Sequence, residues 1–206
     1  IMTPITAGML GQFFLLSLYL QSVMQYKPVE AGIAFLPFPI VLAVVANTVP
    51  RFMQRVGFKK FLMAGSVLLG LGLLWLSQIT VTSTYLTGIL PAIILMAAGM
   101  GMSFISVNIA ATSGVHAEQT GLASGMLNTS QQMGGALGLA ILSGVASSVA
   151  EGSGLDPVSA LVAGDKRAFL VASLFAGIAF LIATFVIHGK KQTSGNAAPP
   201  EVVSAH

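Results

Sequence analysis

GLASGMLNTSQQMGGALGLAILSG, residues 121–144, is the stretch on which the fold turns. It carries no formal charge, and roughly 20 mostly apolar residues suffice for a helix to cross a bilayer. Near its middle stand Asn128, Thr129, Ser130, Gln131 and Gln132. Lipid solvates such groups poorly, so they are expected to face protein or water. At helical spacing Gly121, Gly125, Asn128, Gln132 and Gly135 form a small, polar seam, with Leu122, Met126, Met133, Leu137 and Ile141 expected largely on the other side. Glycines let another backbone come close, which is how spans pack when the hydrophobic effect offers little between them. Gly121, Gly125 and Gly135 are therefore expected to be helix-packing positions. Thr129 and Ser130 are expected to bond back to their own helix. For Asn128, Gln131 and Gln132, packing inside a bundle and the wall of an aqueous, substrate-holding cavity stand level.

The rest of the composition agrees with a bilayer. Hydrophobic residues make up 55% of the 206 and charged residues 7%, with a mean hydropathy of +0.89. Soluble domains carry about a quarter charged residues, so the chain reads as an integral membrane protein. Its net charge of +3 sits mostly in two short basic clusters at span ends, which argues for orientation and leaves no basic face for nucleic acid. The absence of cysteine excludes disulfides and thiolate metal sites, and His116, His188 and His206 are too scattered for a metal constellation. No cofactor is implied. Ile1-Met2 opens inside an apolar run without a charged n-region or cleavage site, so the sequence reads as the C-terminal part of something longer and not as a signal peptide.

Six spans are expected, at about 2–25, 30–49, 61–78, 85–108, 121–146 and 168–188. Together residues 1–189 form the bundle, and 190–206 form a disordered cytoplasmic tail. Tyr26-Lys27-Pro28 breaks the first span from the second. Pro37 and Pro39 predict a kink in the second, tolerable where neighbours satisfy the freed carbonyls. Residues 50–60, PRFMQRVGFKK, read as a short cytoplasmic connection, and residues 151–167 as an external polar loop. Cytoplasmic connections then hold Arg51, Arg55, Lys59, Lys60, Lys190 and Lys191, against Lys27, Lys166 and Arg167 on the other face. Every acid falls at a span edge, in a loop or in the tail. Glu30, nearest to a span, reads as a solvated helix-start carboxylate. In the fourth span GMGMSF looks like half a dinucleotide fingerprint, but Phe104 replaces the third glycine and no strand precedes it, so that reading is discarded.

Polar residues concentrate in spans one, two, four and five. Spans three and six are therefore expected to face lipid, and the other four to surround something polar or meet a partner.

GLASGMLNTSQQMGGALG, YLQSVMQYKPVEAGIAFLP and VPRFMQRVGFKKFL, in that set of positions, resemble the C-terminal six-helix half of major facilitator superfamily transporters, in the fourteen-span drug:proton antiporter branch. The resemblance covers residues 11–187. It implies an all-α membrane fold of two inverted three-helix repeats, with the first and fourth spans central, the second and fifth against the N-terminal half, and the third and sixth outside. Residues 50–60 are similar to a degenerate copy of the superfamily's G-x-x-x-D-R-x-G-R-K loop, which makes Arg51, Arg55, Gly57 and Lys59 a candidate cytoplasmic gating loop. Pro50, Gln54 and Phe58 depart from that pattern.

The resemblance further implies a non-enzymatic, proton-coupled exporter of amphipathic organic molecules in the cell (inner) membrane. Its C-terminus would be cytoplasmic, and its partners the lipid bilayer, the missing N-terminal half, small organic substrates and protons. Gln12, Phe14, Gln21, Asn108, Met126, Asn128, Gln131 and Gln132 are the substrate-cavity candidates, neutral amides beside aromatic and methionine surface suiting promiscuous binding. A non-transporting structural or assembly module is the rival from another class. An intramembrane enzyme built on Ser124 lacks a histidine or aspartate within any span to activate it. Proton-coupling carboxylates are accordingly expected in the N-terminal half.

Overall fold

The computed structural model describes residues 2–112 and 119–185. The expected tail at 190–206, with Lys190 and Lys191, lies outside the described residues, as does His116. Among the described residues the chain is helical: α1 (Met2–Ser22), α2 (Pro28–Ala34), α3 (Pro37–Val56), α4 (Phe58–Leu76), α5 (Leu90–Thr112), α6 (Thr120–Gly152) and α7 (Pro157–Phe185). A short π-helical turn, Tyr85–Ile89, leads into α5. Six of the resulting segments are long and apolar enough to cross a membrane, α2 and α3 together making one.

The second span bends where its prolines require. Helix α2 stops at Ala34 and α3 starts at Pro37, a residue whose fixed φ suits the first turn and whose missing N–H costs nothing there. Phe38 N–H bonds to the Phe35 carbonyl at 3.0 Å and so leaves Ala34 without its helical partner. The Tyr85 hydroxyl donates to that carbonyl at 2.7 Å. A neighbouring segment thus satisfies the group that the break exposes, as a dry environment demands. Phe13 of α1 packs against the same bend, its ring 5.4 Å from Phe35 and 4.8 Å from Phe38.

Helix ends depart from the hydropathy boundaries in two places. The expected connection over residues 50–60 reduces to a single residue, Gly57 at φ 89°, between α3 and α4. Charged side chains end the apolar run at Pro50 without ending the helix, because a helix can continue into water. Likewise the expected external loop over residues 151–167 is mostly helix: α6 runs on to Gly152 and α7 begins at Pro157, eleven residues before the expected start at 168. Asp156 fixes that start, its Oδ2 accepting from Ser159 N–H at 3.1 Å. Hydrogen bonds from the Ser159 hydroxyl and then its backbone N–H hold the exposed Asp156 carboxyl below its usual pKa. Asp-Pro ahead of an apolar run is a helix-start signal that hydropathy alone overlooks.

Packing follows small residues. On α7, Ala160, Gly164, Ala168, Ala172, Ala176, Ala179 and Ala183 form a buried stripe toward α1, α4 and α6. Helices α4 and α5 cross at Gly65, Gly72 and Gly99, where an added Cβ would meet the opposing backbone. Taking the chain as two triplets of spans, the first span of each packs on the second of the other: α1 on α6, and α5 on α3. The first of each also packs on the third of the other, α1 on α7 and α5 on α4. This reciprocal exchange is the arrangement of two inverted three-helix repeats.

Helices α4 and α7 turn outward an apolar set, including Val67, Leu71, Leu74, Leu170, Leu174, Ile178 and Leu181. Yet they are not the barest spans. Within the chain 17% of the α2–α3 window and 28% of the α6 window are buried, against 56% for α1, so spans two and five are the ones left most uncovered.

Candidate substrate pathway and the pocket at Asp165

Helix α6 packs on α1 through Gly134, Gly138 and Leu142, a row of every fourth residue. A Cβ at Gly134 would meet Thr3 and Thr6, and one at Gly138 would fall on the Ala7 backbone. Gly135 joins this contact against Leu10. The expected seam is therefore corrected: Gly121 and Gly125 have nothing within 4 Å of an added Cβ, and Asn128 and Gln132 are exposed. So are Leu122, Met126, Met133, Leu137 and Ile141, the residues assigned to the opposite side. The two sets differ mostly by one position, which on a helix is about 100° of rotation and not 180°. They adjoin and form one broad open face.

The remaining cavity candidates divide. Phe14 is half exposed on α1, in line with exposed Leu10, Leu18 and Gln21; the Gln21 amide bonds to Ser17 on its own helix at 3.0 Å. Gln12 is 1% exposed and belongs to the core, with its Oε1 lacking a hydrogen-bond partner. Asn108 is half buried on α5, and its amide nitrogen donates to Phe104 at 2.8 Å. Gln131 is half buried toward the contact side of α6. Thr129 and Ser130 bond back to Gly125 and Met126 at 2.9 and 2.8 Å, as expected for hydroxyls on a span. Met126 lines a shallow cavity of about 460 Å³ with Leu122, Gly125 and Thr129.

Among the gating-loop candidates, Arg51 is exposed on the last turns of α3, and Gly57 is the joint itself. The Arg55 side chain lies outside the described ones. Lys59 is committed elsewhere: its ammonium donates to the Thr184 carbonyl at 2.7 Å, satisfying a group at the C-terminal end of α7. Glu30 is exposed and accepts from Lys27 N–H at 2.8 Å, a helix-start carboxylate as expected.

One functional candidate escaped the sequence. Asp165, placed by hydropathy in an external loop, lies two turns into α7 and is 1% exposed. The expectation that every acid stays at an edge or in a loop is thus corrected. Its Oδ2 lacks a hydrogen-bond partner, and it lines a cavity of about 280 Å³ with Phe14, Leu18, Ser143, Ser147 and Leu161. The small residues at every fourth position from Ala160 to Ala176 are the signal that could have shown α7 already packed at this level.

A helical bundle of six membrane-length segments, interleaved as two exchanging triplets around small-residue crossings, has the construction of a membrane transporter domain. The Major Facilitator Superfamily profile matches residues 1–139, two thirds of the sequence, and the chain belongs to that family. It is 35% identical to the cephamycin export protein CmcT of Amycolatopsis lactamdurans over 96% of its own length and 39% of that protein's. To the puromycin resistance protein pur8 of Streptomyces alboniger it is 33% identical, over 96% of this chain and 40% of the relative. The multidrug resistance protein Stp of Mycobacterium tuberculosis (strain H37Rv) is 31% identical over 66% of this chain and 25% of its own. The chain spans about two fifths of the length of the first two relatives.

Proposed function

We propose that this chain is the C-terminal six-helix half of a fourteen-span, proton-coupled exporter of amphipathic organic compounds in the cell membrane, working by alternating access. The observation that carries this reading is the open face of α6. It mixes Asn128, Thr129 and Gln132 with Met126, Met133 and Leu137, too polar to suit lipid alone and too apolar to suit bulk water. With the similarly bare α3, where Asn47 and Thr48 are exposed beside Ile40 and Val44, it fits a second helical bundle and a shared cavity. The names of the relatives, antibiotic export and resistance proteins, point the same way.

In this reading Phe14, Gln21, Met126, Asn128 and Gln132 contact substrate, while Gln12, Gln131 and Asn108 support them from the packed side. The end carrying Arg51 and Lys59 is cytoplasmic, as is the C-terminus. Inside-out vesicles containing the full-length protein are expected to accumulate puromycin or lincomycin when the lumen is made acidic, and to stop when a protonophore is added. Accumulation indifferent to the pH gradient would reject proton coupling, and none with any amphipathic compound would reject export.

A further inference from the structure

We infer that the cavity between α1, α6 and α7 is a binding site for a compact organic ammonium group attached to an apolar body, with Asp165 as its counter-ion. Three observations converge. Asp165 is 99% buried, counting from its 1% exposure, and its Oδ2 is without a hydrogen-bond partner. A buried carboxyl left so must either hold its proton or meet a cation. The carboxyl opens onto a cavity of about 280 Å³, near the lower end of ligand-binding pockets. Its walls are apolar, with Phe14 and Leu18 on one side and Leu161 on another, and only Ser143 and Ser147 add hydroxyls.

Among the described residues no cationic side chain pairs with Asp165. Lys166 and Arg167 follow on the same helix, so they project about 100° and 200° away from Asp165, and Arg167 is exposed. On α1 the nearest ionisable group is Tyr19, whose hydroxyl already donates to the Thr80 carbonyl at 2.7 Å. On α6 Glu151 carries the same sign as Asp165 and is exposed. A hard metal cation finds too little oxygen here, since such ions gather about six to eight ligands. An ammonium nitrogen needs only one strong acceptor and one or two hydroxyls, and it leaves the ligand's hydrocarbon against Phe14, Leu18 and Leu161. Phe14 and Ser147 are exposed at the rim, so the cavity is reachable. The Gly164–Ala146 crossing, where a Cβ would meet the Ala146 carbonyl, closes it beside Asp165.

The site is testable as a binding site without transport, so it stands or falls separately from the export reading. The full-length protein in nanodiscs is dialysed at neutral pH against 2-phenylethylammonium and, separately, against 2-phenylethanol, which has the same body without the charge. After subtraction of empty nanodiscs, the wild type is expected to bind the ammonium at least about tenfold more tightly than the alcohol, the scale of one charge-assisted hydrogen bond. Asp165→Asn is expected to bring the two affinities together, while Asp165→Glu keeps the preference. Leu161→Trp, which fills the cavity without touching the charge, is expected to weaken both probes. Equal affinities in the wild type, no measurable binding of the ammonium, or a tenfold preference surviving in Asp165→Asn would each overturn the proposal. The wild-type comparison decides even if a variant fails to fold.

Discussion

The two halves of α6 are made of similar residues and meet opposite surroundings. From Gly121 to Met133 the helix has glycines with open space around them, whereas in the next stretch Gly134 and Gly138 lie against the backbone of α1 and Gly135 against the Leu10 side chain. Gly125 and Gly138 look equivalent in the sequence, each a small residue on an uncharged span. Glycine permits close approach but does not create it. What distinguishes the second half is its partner: α1 supplies Thr3, Thr6, Ala7 and Gly11, small enough to complete the crossing, with Leu142 seated over Gly11. The first half has no such partner among the described residues.

Substitution should separate the halves sharply. Gly138→Leu would drive a branched side chain into the Ala7 backbone, which cannot yield as a side-chain end would. Overpacking costs about 1–3 kcal/mol and occasionally more, and this site is expected at the upper end or beyond, read as loss of folded protein in detergent by fluorescence-detected size exclusion. Leu142→Ala, at a side chain with 0% exposure, is expected to cost about 2–5 kcal/mol through a cavity. The matched change Met133→Ala on the open face should cost far less, so similar melting points for the pair would break the comparison.

A smaller effect is expected at the bend of the second span. Tyr85→Phe removes the donor to the Ala34 carbonyl, and losing one partner of a sheltered hydrogen bond costs about 1–3 kcal/mol. Hydrogen exchange should rise around residues 35–40 before it rises elsewhere. The smallest effect on folding belongs to Gly125→Leu, expected to stay within about 0.5 kcal/mol because nothing lies near. If the open face meets a second bundle, the same variant should reduce transport while leaving the fold intact. A loss of fold equal to that of Gly138→Leu would show that Gly125 has a partner within these six spans.

Much of the architecture was legible before any coordinates. Uninterrupted apolar length marked the six spans, and Pro37 with Pro39 marked the bend, because both signals depend on the local chain alone. The back-bonds of Thr129 and Ser130 are local as well. Helix ends were misjudged at Val56 and Pro157 because hydropathy reports the edge of an apolar run, whereas a helix stops for backbone reasons: Gly57 in one case, Asp156-Pro157 in the other. The rotation of α6 was missed because its contact side is chosen by α1, and two adjacent stripes were treated as opposite ones. Asp165 was missed for both reasons together. Its burial needs α7 to begin early and α1 and α6 to close over it.

Gly57 leaves α3 and α4 with no slack between them. At φ 89° it holds a conformation that other residues adopt with strain, so the joint behaves as an elbow and not as a tether. Lys59 then fastens the start of α4 to the end of α7 through the Thr184 carbonyl. A push on the bare flank of α3 would therefore travel at once into α4 and α7, and these three helices would swing at this end as one lever, while α6, which packs on α1 and α7 and more lightly on α5, is left to slide.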